Sequence, residues 1–388
     1  QQNARKYLRK RGITKEDIGT KISVEDYNNA CKEAVMRYTD VWNNLTKKMG
    51  YWVDMDNPYI TYQSKYMESV WWLLGQLNDK GLIYKGYTIQ PYSPKAGTGL
   101  STHELNQPGC YRDVKDTSCV AQFKLTEESN TKFVENVLGG DHVVETYGHT
   151  SLLAWTTTPW TLPSNTALTV GKKIEYVVVH SYNQYTFEPI NVLIAKTLVG
   201  KQFSKNYFQV EDTSELDNYE KGDKKIPYYI GAECTGADLV GLRYEQLLPY
   251  AQPMENPENA FQVIPGDFVT TEDGTGIVHT APTFGADDAM VGKQAGVPGL
   301  LVEDERGIPV PLVDLQGRFR PEMAELAGMY VKNEYYDDDK VPEKSVDVLI
   351  SIKLKEENKA FKVEKYEHSY PHCWRTDKPV LYYPLDSW

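Results

Sequence analysis

The sequence predicts a mixed α/β protein in which a strand-rich, barrel-like domain is inserted between two helical segments. Three observations carry that expectation. Long stretches with apolar residues three and four apart occur at the two flanks, and short β-branched runs fill the middle. The charge is also uneven: residues 127–344 hold 17 Lys and Arg against 34 Asp and Glu, or −17, within a chain whose net charge is −12. We therefore expect three parts: residues 1–126, largely helical; 127–344, strand-rich; and 345–388, a return segment.

The elements follow in order. In residues 25–80, Ala30, Ala34, Val35, Tyr38, Val41, Trp42 and Leu45 mark one apolar helical stripe. Tyr66, Val70, Trp71, Leu74 and Leu77 mark a second, which stops near Lys80-Gly81. From Tyr87 onward Pro91, Pro94, Gly97, Gly99, Pro108 and Gly109 break the pattern into turns. Short strands are expected at 119–125, 151–158, 176–180, 192–195, 262–264 and 276–279, and a helix again over 345–360. The first fifteen residues carry Arg5, Lys6, Arg9, Lys10, Arg11 and Lys15 with no acid, a run that reads as a solvated face or a frayed end.

Composition removes several classes. With 388 residues, 40% hydrophobic and 25% charged, the chain suits two or three globular domains. It holds no run of about 18 uncharged apolar residues, so no membrane helix is expected. It lacks the apolar segment of a signal peptide and an initiator Met, which suggests a piece of something longer. Five widely spaced cysteines fit a reducing, cytoplasmic setting better than a disulfide scaffold. A net −12 by itself suggests no nucleic-acid partner. GxSxG, HExxH, CxxC and complete Walker patterns are all missing from the sequence.

Two segments carry chemistry. The first runs from Ala154 through Trp155-Thr156-Thr157-Thr158-Pro159-Trp160 to Asn165. Three Thr at a strand end, halted by Pro159, put hydroxyls and freed backbone groups where pairing stops. The plain alternative is a β-favouring Thr run beside a turn. The second segment is Gly274-Thr275-Gly276-Ile277-Val278-His279-Thr280-Ala281-Pro282-Thr283-Phe284-Gly285-Ala286-Asp287-Asp288. It reads as a glycine turn, a buried strand, a loop, and a helix that opens at the acidic pair and ends near Gly296. Asp287 and Asp288 there fit ordinary helix-start acids, and His279 fits a satisfied core histidine.

Together the two segments resemble the editing domain of the isoleucyl-tRNA synthetases, a class I family whose peptides read WTTTPWTLPxN and GTGIVHxAPxFGxDD. The valyl and leucyl relatives carry TTRP where this chain has Thr156-Thr157-Thr158-Pro159. Gly81-Leu82-Ile83-Tyr84-Lys85-Gly86 is similar to the segment that leads out of the synthetase core. His368-Ser369-Tyr370-Pro371-His372-Cys373-Trp374-Arg375 and Ser387-Trp388 are similar to the return. The resemblance implies a barrel-like editing domain inserted between helical and α/β segments of the catalytic core. It implies hydrolysis of the ester in Val-tRNA(Ile), with isoleucine excluded by size.

By the same resemblance, Asp288 anchors the substrate ammonium while Asp287 caps its helix, and His279 bounds the side-chain pocket. Thr156, Thr157 and Thr158 line the ester and the terminal adenosine. Trp160, Asn165 and Thr280 form or support the substrate-binding side. No Ser-His-Asp triad is evident, so attack by water is expected. The HIGH and KMSKS signatures are missing, so ligase activity, with its ATP and Mg, is expected only of a full-length enzyme. Zinc is not expected, because Ser93, Ala96 and Thr376 stand where many relatives have Cys, and only Cys373 remains. The partner is the 3′ end of tRNA(Ile) carrying valine, met by a monomer. The alternative is a non-catalytic module that only binds the tRNA end or supports the synthetase.

Overall fold

The computed structural model describes residues 12–13, 17–137 and 148–388. The basic residues Arg5, Lys6, Arg9, Lys10, Arg11 and Lys15 lie outside the described residues. The chain divides between Tyr84 and Lys85 into two compact parts. The boundaries expected at 126/127 and 344/345 both fall inside the second.

The first part is helical: α1 (Val24–Met36), α2 (Thr39–Lys48) and α3 (Ser64–Asp79). Ser23 starts α1 by accepting the Asp26 amide through its hydroxyl at 3.0 Å. None of the three helices buries a residue, and Trp42, Trp71 and Trp72 are exposed. Their apolar stripes are real as periodicity, but within this part they cover no core.

The second part holds the strands β1 (Gly86–Ser93), β2 (Thr98–Gly99), β3 (Tyr111–Lys124), β4 (Thr150–Thr156), β5 (Ala167–Val170), β6 (Glu175–Tyr182), β7 (Pro189–Ala195), β8 (Tyr207–Gln209), β9 (Ile226–Thr235), β10 (Gln262–Pro265), β11 (Ile277–Thr280), β12 (Val302–Glu303), β13 (Pro309–Val310), β14 (Ala360–Pro371) and β15 (Leu381–Ser387). Its longer helices are α4 (Glu127–Asn136), α5 (Ala286–Ala295) and α6 (Val346–Glu356). β1 pairs with β15 and β2 in a small sheet, and β12 pairs with β13.

The main sheet closes on itself. Around the ring, β10 pairs β5, β5 pairs β11, β11 pairs β4, and β4 pairs β3. Bridges Leu125↔Tyr244 and Arg243↔Gln262 then carry the circuit from the end of β3 back to β10. This is the barrel-like core expected from the short strands, and closure leaves those strands without a free edge. β7, β6, β9 and β8 extend from the first half of β4, while β14 runs antiparallel to β3 along 111–121. Val177, Val178 and Val179 are all fully buried, so β6 is covered on both faces, which explains its unbroken apolar run.

One glycine is fixed by the ring. Gly276 adopts a left-handed φ of 75° just before β11, and a Cβ there would lie 2.4 Å from that of Ala195. No other residue type meets both conditions.

Candidate functional site

β11 and β4 run parallel with Val278 opposite Trp155. Their C-terminal ends therefore leave the sheet side by side, which brings Thr156–Thr158 and Ala281–Asp288 to one rim of the barrel. Two contacts then lock the peptides together. The rings of Trp160 and Phe284 meet edge to face at 5.1 Å, and His279 Nε2 lies 3.1 Å from Thr161 Oγ1.

His279 sits in a closed polar network. The Asn165 amide donates to the Ala167 carbonyl and to His279 Nδ1, each at 2.8 Å, and its oxygen accepts the Tyr244 hydroxyl at 2.7 Å. With Nδ1 accepting, the ring proton belongs on Nε2, which donates to Thr161; Thr161 in turn donates to the Thr158 carbonyl at 2.8 Å. Burial pushes His279 down to about 4. The ring is thus neutral, with both nitrogens engaged by protein.

The three threonines differ. Thr156 is buried and accepts the Thr158 amide at 3.0 Å, with the two hydroxyls 3.3 Å apart. Thr157 is partly exposed, and among the described residues its hydroxyl makes no hydrogen bond. It is the member of the trio best placed to meet a ligand. Trp160 is buried, and its amide is held by Asp347 rather than facing solvent. Asn165 and Thr280 are buried as well, Asn165 orienting His279 and Thr280 bonding Thr169 at 2.7 Å. These three support the site's geometry from behind.

Asp288 is the third residue of α5, whose N-terminal cap, Gly285, makes no side-chain hydrogen bond. Its carboxylate folds back out of the helix, one oxygen accepting the Ala281 amide at 2.8 Å. A Cβ on Gly285 would lie 2.7 Å from that carboxyl carbon, so the fold-back requires glycine there. Burial pushes Asp288 up to about 6; the Ala281 amide opposes the rise, and the Asp287 charge adds to it. Among the described residues the other carboxylate oxygen takes no hydrogen bond and no cation pairs with the group. Asp287 is exposed on the same turn.

On its opposite face, α5 borders a cavity of about 790 Å³ lined by Ala286, Ala289, Met290 and Lys293 together with Gly86–Ile89. That spacing of three and four places the cavity away from Asp288.

Ser93, Ala96, Cys373 and Thr376 do come together. Ala96 and Cys373 share an apolar cluster with Leu100, Leu105 and Val380, and Ser93 Oγ accepts the Ala96 amide at 3.2 Å. Among the described residues no group of three or more His, Cys, Asp or Glu is arranged to hold a metal. No helix among them is long and apolar enough to cross a membrane.

Sequence reasoning did not single out Tyr244 or Asp347. Tyr244 lies in a motif-free stretch. Asp347 reads locally as an ordinary first-turn acid of a helix capped by Ser345, and its partner Trp160 is 187 positions away.

The barrel rim thus sets the Asp288 carboxylate, with one amide partner, at the same end as the Thr-rich strand end. Residues 5–374 match the family model for class I tRNA synthetases (I, L, M and V), and the chain belongs to that family. It is 61% identical over 387 residues to an isoleucine–tRNA ligase of Cytophaga hutchinsonii, covering 97% of this chain and 33% of that protein. It is 54% identical over 411 residues to the same enzyme of Bacteroides thetaiotaomicron, covering 97% and 34%. The chain thus spans about a third of the length of these relatives. Among solved structures, a Plasmodium knowlesi cytosolic leucyl-tRNA synthetase editing domain matches at 13% identity with a TM-score of 0.36, covering 68% of this chain and 99% of that one, a likeness too slight to argue from.

Proposed function

We propose that this chain carries the editing activity of an isoleucyl-tRNA synthetase: hydrolysis of the ester that joins valine to tRNA(Ile), with isoleucine spared. The observation that carries the reading is Asp288. It is a carboxylate held at the barrel rim beside the Thr-rich peptide, partnered by one amide and, among the described residues, by no cation. A free α-ammonium is the group that completes it, through charge-assisted hydrogen bonds.

The need for such a site is energetic. A hydrophobic pocket discriminates one methylene by only about 1–3 kcal/mol, and the isoleucine–valine pair is the standard case of that limit. A second site that admits the smaller residue and hydrolyses it multiplies the discrimination. In this reading the fixed, neutral His279 ring bounds the side-chain pocket and excludes the larger side chain. Thr157 and backbone groups of Thr156–Thr158 polarise the ester carbonyl. Water is the nucleophile, and His279, with both nitrogens engaged, does not take its proton. Zinc has no part in the proposal, because Ser93, Ala96 and Thr376 supply no thiolate. The partner is the charged 3′ end of the tRNA. Aminoacylation is assigned to segments outside this sequence.

The test is deacylation by the whole chain. We expect turnover of Val-tRNA(Ile) with Ile-tRNA(Ile) left intact, and a loss of about 10²-fold in Asp288→Ala, the size of a lost charged hydrogen bond. Binding of a valyl-adenosine analogue without turnover would instead support a silent, end-binding module. An unchanged rate in Asp288→Ala would remove the anchor.

A further inference from the structure

The peptide at the site is gripped from behind as well as from the His279 side. Pro159–Ser164 forms a tight helical turn directly after Thr158. Such a turn leaves its first amides without internal partners. Pro159 has no N–H, so the first exposed need falls on Trp160. Asp347 Oδ1 meets it, accepting the Trp160 amide at 2.8 Å across 187 positions of sequence. Asp347 is spared from starting its own helix, since Ser345 accepts the Val348 amide there. Its backbone is fixed too, by the Ser351 hydroxyl on its carbonyl at 2.7 Å.

The carboxylate is fully buried, and the charge facing it comes from a second cluster. Lys332 Nζ bonds Asp116 Oδ2 at 2.8 Å and lies 4.7 Å from the centre of the Tyr370 ring. His368 Nε2 is 3.2 Å from the same Asp116 oxygen. Asp116 and Glu334 add negative charge around Asp347. Burial pushes Asp347 up to about 7, against the pull of Lys332 and of the Trp160 amide.

We propose that Asp347 is a positioning residue for the editing site, its grip on the Trp160 amide holding the Thr156–Thr158 peptide in its reactive aim; this rests on the function proposed above. Proline makes the linkage stiff. Pro159 fixes its own φ and restricts Thr158 before it, so a shift at Trp160 passes directly to the threonine hydroxyls and carbonyls. Misplacement of reacting groups by about 1 Å costs on the order of 10²-fold in rate. The residue lies beyond position 344, in the return segment, so the site depends on chain outside the strand-rich insert.

The experiment uses the whole chain and reads kcat and KM for Val-tRNA(Ile) beside hydrogen exchange of the 159–162 peptide. Asp347→Ala is expected to lower kcat about 10–100-fold, to leave KM within about threefold, and to speed exchange at Trp160. Asp347→Asn keeps an acceptor oxygen, so kcat within about fivefold of the parent and restored protection are expected. A folded Asp347→Ala with the parent's kcat overturns the proposal. So does an Asp347→Asn as slow as Asp347→Ala, since loss of charge rather than of the acceptor would then be the cause. If Asp347→Ala does not fold, Asp347→Glu decides: it keeps the charge but displaces the acceptor by a methylene, and an unaltered kcat there also overturns the proposal. A parent chain with no turnover refutes the functional reading itself, a result distinct from an active parent with indifferent variants.

Discussion

Asp288 and Asp347 occupy matching places and do different things. Each sits in the first turn of a helix, each is pushed up by burial, and each reaches out of its helix to accept one backbone amide, from Ala281 and Trp160 respectively. Behind Asp347 stands Lys332. Beside Asp288 there is no cation among the described residues, only the like charge of Asp287. Under the proposed function, the difference teaches how a fold separates a structural carboxylate from one kept for a ligand. Both carry the cost of burial, but only one has its counter-charge built in. In the proposed function the other takes its counter-charge from the substrate ammonium.

The largest effect should come from stripping the built-in counter-charge. Lys332→Met leaves buried Asp347 and partly buried Asp116 without their shared cation, which costs at most the about 3–5 kcal/mol of a fully buried pair. Chemical denaturation should show the midpoint falling with an unchanged slope. The exposed pair Lys124–Glu245 is the control, since Lys124→Met there should cost no more than about 1 kcal/mol. Equal losses in the two variants would erase the distinction between Asp347 and an ordinary ion pair.

Next comes Asp288→Asn, which should act in opposite directions on activity and stability. Turnover of Val-tRNA(Ile) should fall about 10²-fold, because an amide replaces the charged acceptor. In the parent, kcat/KM should rise about tenfold per pH step as the free carboxyl ionises, levelling off above about 6, and the variant should lose this limb. The stability sign follows from the raised pKa. The folded state binds the proton more tightly than the unfolded chain, so Asp288's favourable contribution is complete below about 4 and is lost as pH rises through about 6. Asp288→Asn should therefore be more stable than the parent by about 1–2 kcal/mol at pH 7.5 and equal to it at pH 4. Equal stability at both pH values would show that Asp288 is not under strain in the free protein.

How much of this was legible in the sequence depends on the range of the interaction. The flanking helices, the helix Ala286–Ala295 and six of the strands follow from local periodicity and turn residues, which act within a few positions. β14 was missed, since its residues 360–371 alternate weakly and its identity as a strand comes from pairing with β3, some 250 positions away. The Thr-rich and Asp-containing peptides stood out together by resemblance, and the parallel pairing of β4 with β11 explains why they belong together. Trp160, expected to form or support the substrate-binding side, is buried, and its amide is held by Asp347, a residue that no local pattern marks. Tyr244 was invisible for the same reason. Its value lies in orienting Asn165, an interaction that exists only once the ring closes.

The smallest effect tests whether the acidic pair is one feature or two. Asp287 is exposed, and the structure gives it no role beyond that of a neighbouring charge, which raises Asp288 and adds to the rise of Tyr382. Asp287→Asn should change stability by no more than about 0.5 kcal/mol, the ordinary range for a surface change near a helix start. Its clearer signature is kinetic. With the like charge gone, Asp288 ionises more readily, so the acid limb of kcat/KM should move to lower pH while the plateau above about 7 stays within about twofold. A plateau that collapses as it does in Asp288→Asn would mean that both carboxylates meet the ammonium, and the contrast between a ligand-facing acid and a merely adjacent one would fail at that helix.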